Sequence, residues 1–154
     1  MLSRKFVWHG RQCEARFEKG LDAFPEAKRI RQQVFIDEQG FMNEFDETDL
    51  TAWHCVLYVD DSAAATGRLY NDESMPFAAH IGRLAVVKSE RGSGLGSLMI
   101  SLLEQFAVEQ DIESISLSAQ CRAERFYRMN GYVPEGEVYY DEHVEHIRMK
   151  KVLR

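Results

Sequence analysis

Apolar residues recur at three- and four-residue spacing through Leu95, Leu98, Met99, Leu102, Leu103, Phe106 and Ala107. That period puts them on one face of a helix, with Ser97, Ser101, Glu104, Gln105 and Glu109 on the other. The helix is expected to lie on a sheet and to end near Asp111. A shorter apolar face runs through Ala27, Ile30, Val34 and Phe35, behind Pro25, which suits a first helical turn. Strands are expected at 54–59 and 64–70 around an Asp60-Asp61-Ser62 turn, then at 81–87 and 114–119. A closing hairpin is expected from 132–140 and 146–152, and a short helix at 122–129 stopped by Gly131. Near the N-terminus, either 6–8 or 13–17 supplies a first strand. This alternation, with hairpins at both ends, predicts one α+β domain over residues 1–154. Its expected form is three-layered: a mixed, mostly antiparallel central sheet with helices on both faces.

Composition narrows the class. A chain of 154 residues, 45% hydrophobic, can bury a sizeable core. The net charge is −6 and no basic run appears, which argues against nucleic acid as a main partner. No apolar run approaches the roughly 20 residues that span a bilayer, so no membrane partner is expected. Arg4, Lys5, His9 and Arg11 interrupt the apolar centre that a secretion signal needs, and a cytoplasmic location is expected. Cys13, Cys55 and Cys121 are widely spaced and form no Cys-x-x-Cys pair, so neither a disulfide framework nor zinc is expected. His143 and His146 are three apart in a turn and strand. They should face opposite ways, and no metal site is expected there.

The chemistry concentrates at 81–97, where an apolar strand runs into Arg91-Gly92-Ser93-Gly94-Leu95-Gly96-Ser97 and then into the long helix. Glycines let a backbone approach a ligand closely, and the free amides of a helix start favour an anion. Arg91 adds a permanent positive charge. The pattern suits a phosphate or pyrophosphate; a glycine-rich turn that binds nothing is the alternative. A nucleotide P-loop is excluded because no Gly-Lys-Ser/Thr follows. The G-x-G-x-x-G spacing of a dinucleotide fold is also absent.

Arg91-Gly92-Ser93-Gly94-Leu95-Gly96 resembles the Arg/Gln-x-x-Gly-x-Gly/Ala signature of the GCN5-related N-acetyltransferase (GNAT) superfamily. Ala123-x-x-Phe126-Tyr127-x-x-x-Gly131-Tyr132 resembles that family's second motif, in the right order and about 30 residues on. Three further stretches are similar to the ElaA-type branch. They are Ile30-Arg31-x-x-Val34-Phe35-Ile36-x-Glu38-Gln39, the acidic loop through Asp49 with His54, and Tyr139-Tyr140-Asp141-Glu142-x-x-x-His146-Ile147-x-Met149.

The resemblance implies a GNAT fold and transfer of an acetyl group from acetyl-CoA to a primary amine, without a metal. It implies that the loop from Arg91 through Gly92, Ser93, Gly94, Leu95 and Gly96 to Ser97 holds the pyrophosphate. Leu84, Ala85 and Val86 would lie beside the pantetheine and thioester, with Gln120 and Phe126 near the same arm. The bulk of Leu84, Val86 and Phe126 favours a short acyl group.

Tyr127 matches the family's general acid: a phenol of pKa near 10 is protonated at neutral pH. A packing tyrosine is the other reading. An amine of pKa near 10.4 must lose a proton before it attacks. The candidate bases are Glu38 first, then His54, with His146 also considered; for any single one a structural role is the stronger reading. Cys121 lies near the expected arm but has no clear base, so direct transfer is expected rather than a covalent intermediate.

Asp37, Glu38, Glu44, Asp46, Glu47 and Asp49 put six carboxylates in thirteen residues. They either attract a cationic acceptor, such as a polyamine, aminoglycoside or protein lysine, or form a solvated loop. Two rival functions stay open: an acyl-CoA-binding sensor without turnover, and a transferase for another acyl donor or acceptor. A homodimer through a sheet edge or the closing hairpin is the assembly considered.

Overall fold

The computed structural model describes residues 2–154. Both N-terminal apolar segments become strands: β1 (Leu2–Trp8) and β2 (Arg11–Lys19) pair antiparallel. They turn through His9 and Gly10, at φ of 49° and 75°. The remaining strands are β3 (Trp53–Val59), β4 (Ser62–Asn71), β5 (Ala78–Val86), β6 (Ser114–Gln120), β7 (Val133–Asp141) and β8 (Val144–Val152). All eight form one sheet in the order β1-β2-β3-β4-β5-β6-β8-β7. Every neighbouring pair is antiparallel except β5 and β6.

The helices cover both faces. Helix α1 (Pro25–Arg31) continues into a wider π-helical stretch, Gln32–Glu38. The others are α2 (Leu95–Glu109) and α3 (Glu124–Met129). Strand β3 is buried on both sides because successive side chains point to opposite faces. Cys55, Leu57 and Val59 join Met99, Leu103 and Phe106 of α2 in one core. Val56 joins Ala27, Ile30 and Val34 in the other. Helix α2 sits close on the sheet at Gly67 of β4, where an added Cβ would lie 2.7 Å from Leu103 Cδ1.

Two irregularities create the functional space. Strands β5 and β6 pair only from Ala78 with Ser114 to His80 with Ser116, and then part. Strand β5 also carries a bulge. Thr66 pairs with Ala85 and Arg68 with Gly82, so Arg83 and Leu84 together stand opposite Gly67. Arg83 takes φ of 51°, a left-handed conformation that side chains seldom adopt. Among the described residues no helix is long and apolar enough to cross a membrane. No group of His, Cys, Asp or Glu among them is arranged to hold a metal.

Candidate active site

Where β5 and β6 part, a cavity of about 730 Å³ opens between the sheet, α2, α3 and the π-helical stretch. One end is the glycine loop. The start of α2 has no side-chain cap, so its first amides are left for a ligand. Gly92 and Gly94 sit at φ of 83° and 93°, which only glycine adopts without strain. Gly96 serves packing: a Cβ there would lie 3.0 Å from the Phe126 ring. The N-terminal hairpin braces this end. Arg11 grips Glu90 at 2.8 and 3.0 Å, and Trp8 lies against Gly94. An open, uncapped, glycine-lined helix start fits a pyrophosphate.

Arg91 spans the mouth. It pairs with Glu38 at 2.7 and 3.0 Å, and its Nε donates to the Val86 carbonyl at 3.0 Å. The pairing holds the Glu38 carboxyl below the usual carboxylate range. Glu38 thus belongs to the glycine-loop end, and lowering its pKa weakens it as a base.

The other end is walled by Val34, Phe35, Gln39 and Phe41 on one side and by Asp141, Glu142 and His146 on the other. Contacts between distant parts of the chain clamp these walls together. Glu142 accepts from the amides of Met42 at 2.7 Å and Asn43 at 2.9 Å. His143 Nε2 donates to the Gln39 carbonyl at 2.8 Å, and Gln120 Nε2 donates to Gln39 Oε1 at 2.7 Å.

His146 is 6% exposed, and its Nδ1 donates to the Val144 carbonyl at 2.9 Å. Nε2 has no hydrogen-bond partner among the described residues, which leaves its lone pair free on a ring that lines the cavity. Tyr127 also lines the cavity, and burial alone pushes its phenol up to about 12. It is therefore fully protonated at neutral pH.

The acidic segment is not a field of free carboxylates. Arg31 lies 2.8 Å from Glu44 and 2.7 Å from Asp49. Arg68 pairs with Asp46 at 2.7 Å and Asp49 at 2.8 Å. Arg83 reaches Glu44 and Asp46 at 3.1 and 3.2 Å and donates to the Glu44 carbonyl. Three arginines answer three carboxylates, and they tie α1, β4 and the β5 bulge together. Burial opposes ionisation of Asp49, but its bonds to Arg31 and Arg68 outweigh this and hold it at about 2. At Glu44 burial wins and pushes the carboxyl up, despite Arg83 and Arg31. The expectation of a cation-attracting or solvated loop is corrected on this point: Glu44, Asp46 and Asp49 are consumed internally.

Leu84, Ala85, Val86, Arg91, Gly92, Gly94, Leu95, Gly96, Ser97, Gln120, Phe126 and Tyr127 come together around the cavity. The Leu95 side chain is 1% exposed and belongs to the core, so only its backbone can serve a ligand. Ser93 does not line the cavity, and its hydroxyl donates to the Glu90 carbonyl. His54 is 1% exposed within the ion-pair cluster, with Nε2 donating to the Asp49 carbonyl at 3.1 Å. Burial lowers its pKa, and it does not reach the cavity as a base would. Of the three proposed bases only His146 lines the cavity. Sequence reasoning missed Phe41, Asn43 and Arg83, while Gln39 carried a signal in the first stretch that resembles the ElaA-type branch. Asp141 and Glu142 carried a signal, since they stand in the stretch that resembles the ElaA-type branch.

Comparison with known proteins gives the family and the fold. A family model for the acetyltransferase (GNAT) domain matches residues 22–153. The chain is 28% identical over 136 residues to the uncharacterised N-acetyltransferase YjcF of Bacillus subtilis, covering 86% of this chain and 95% of that protein. It is 29% identical over 127 residues to ElaA of Escherichia coli, covering 80% of this chain and 83% of that protein. The crystal structure of an acyl-CoA N-acyltransferase from Pseudomonas aeruginosa aligns with a TM-score of 0.79 and 25% identity, over 90% of this chain and 98% of that one.

Proposed function

The chain belongs to the GNAT acetyltransferase family and is an acyltransferase; on that premise we propose that it moves an acetyl group from acetyl-CoA directly to a primary amine. One observation carries the reading. The cleft between β5 and β6 has an anion-ready helix start at one end, and it also holds a free imidazole nitrogen and a partly buried phenol.

Within this reading the amides at the start of α2 and the Arg91 guanidinium hold the pyrophosphate. Leu84, Ala85 and Val86 line the path of the acyl arm beside the β5 bulge. The bulge takes backbone groups out of the ladder, and an amide freed there can polarise the thioester carbonyl. Arg83 keeps the bulge in place by gripping Glu44 and Asp46.

The acceptor binds as its ammonium and loses one proton to solvent before it attacks. As its nitrogen bonds to the thioester carbon, His146 Nε2 takes the second proton. The carbon–sulfur bond then breaks, and the Tyr127 hydroxyl protonates the departing thiolate. A phenol at about 12 is a weak acid for a thiol in water. The same burial also makes the thiolate more basic, so the two groups are better matched inside the cavity. His146 later releases its proton to solvent and Tyr127 regains one.

The test is thiol release from acetyl-CoA across amines of several classes, with acetyl-CoA binding followed in parallel. Release with one class supports transfer. Tight binding with no release from any amine favours a sensor and overturns the reading.

A further inference from the structure

The acceptor end also indicates what kind of amine it takes, an inference that rests on the transferase reading above. Charge is the first observation. Within the acidic segment, Glu38 is paired with Arg91, and Glu44, Asp46 and Asp49 are matched by Arg31, Arg68 and Arg83. Asp37 and Glu47 do not line the cavity. The negative charge left there sits at the hairpin tip. Glu142 is held by two backbone amides, and Asp141 has no ion-pair partner among the described residues.

Shape is the second observation. The opposite wall is apolar. Phe35 and Phe41 lie edge to face, 6.4 Å apart, and the Phe41 ring is 6.3 Å from the His146 ring. His146 is buried, at 6% exposed, and its Nε2, without a partner among the described residues, belongs to a ring on the cavity wall.

We propose that the acceptor is a monoamine on an aryl or branched-alkyl body, with its nitrogen between Asp141 and His146 and its body against Val34, Phe35 and Phe41. A single ammonium finds one free carboxylate there, and an apolar body gains by leaving water at that wall. A polycation would need several carboxylates along its length and meets arginine-neutralised ones instead. A protein lysine offers a charged chain end without the branched or aryl body.

The experiment compares phenethylamine, isopentylamine, spermidine and kanamycin as acceptors for the full chain with acetyl-CoA. The expected result is a kcat/KM for phenethylamine and isopentylamine at least about tenfold above the two polycations, the scale of a well-fitted apolar body. Phe41→Ala should lower the ratio of phenethylamine to ethylamine turnover, and Asp141→Asn should raise KM for both. Preference for spermidine or kanamycin would overturn the inference while leaving the transferase reading intact. So would an unchanged ratio in a folded Phe41→Ala chain.

Binding of phenethylamine to the chain loaded with coenzyme A, followed by NMR, separates the two claims. Binding that weakens in Phe41→Ala without thiol release supports the site and removes the transferase reading. Absence of binding, with thiol release from other amines, removes the inference alone.

Discussion

The two ends of the cleft are built in opposite ways. The glycine-loop end, which we propose holds the phosphate, comes largely from one unbroken run, Arg91 to Ser97, and offers backbone amides and a helix start. The acceptor end is assembled from pieces far apart in the chain. Glu142 reaches Met42 across 100 positions, His143 reaches Gln39 across 104, and Gln120 reaches Gln39 across 81. A site made of amides needs glycines and little else, so it can persist while the side chains around it change. A site made of side chains from four elements depends on the whole sheet holding its register. The first kind suits a donor common to a large family; the second suits an acceptor that differs among its members.

The sharpest way to break this contrast is at the ion-pair cluster behind the acceptor wall. Asp49→Asn takes one of two carboxylates from each of Arg31 and Arg68, which keep only Glu44 and Asp46, and should cost about 3 kcal/mol of stability by urea denaturation. Acetyl-CoA affinity of the folded variant should stay near that of the parent chain; a large loss would show that the two ends are not independent. The cluster also predicts an acid limb. Asp49 is held at about 2, against about 3.8 when unfolded. Its contribution is therefore complete above about pH 4 and is lost as pH falls through about 2. That contribution is about 2 kcal/mol at neutral pH. Acid unfolding monitored by circular dichroism should lose this component in Asp49→Asn.

Gly94→Glu attacks the other end. The residue sits at φ of 93°, with Trp8 3.4 Å from an added Cβ, and a carboxylate would face the pyrophosphate. Acetyl-CoA affinity by calorimetry should fall by about a hundredfold or more, roughly 3 kcal/mol. Unchanged affinity in a folded variant would remove the phosphate assignment.

Tyr127→Phe keeps the ring and deletes the hydroxyl. Turnover should fall by up to about a hundredfold with little change in the KM for acetyl-CoA. Equal turnover would reduce Tyr127 to packing. The smallest effect is expected at the clamp: Glu142→Gln keeps the shape and weakens its bonds to the two amides. The KM for the amine should rise about threefold while that for acetyl-CoA stays put, because a charged acceptor strengthens such bonds by roughly 1 kcal/mol. A matching rise in both would show that the hairpin tip serves the entire cleft.

Periodicity alone determined the long helix and most of the sheet, because an amphipathic face repeats within a dozen residues, whereas the short helix was read from its motif. The glycine run was legible for the same reason: the amides that would hold an anion belong to consecutive residues. Tyr127 was legible as one position of a motif, but its place on the cavity wall was not. Tertiary structure decided the remainder. Both N-terminal segments are strands because each finds a partner edge, which no local pattern announces. Whether an acidic residue is a free charge or half of a buried pair depends on which arginine the fold brings to it, and Arg31, Arg68 and Arg83 come from three elements. The choice among Glu38, His54 and His146 had the same character. Each is a plausible base as a residue type, but strand pairing turns His54 into the cluster, Arg91 captures Glu38, and His146 is left facing the cleft. Chemical capacity is a property of the side chain, while access to the reacting atoms is a property of the packing around it.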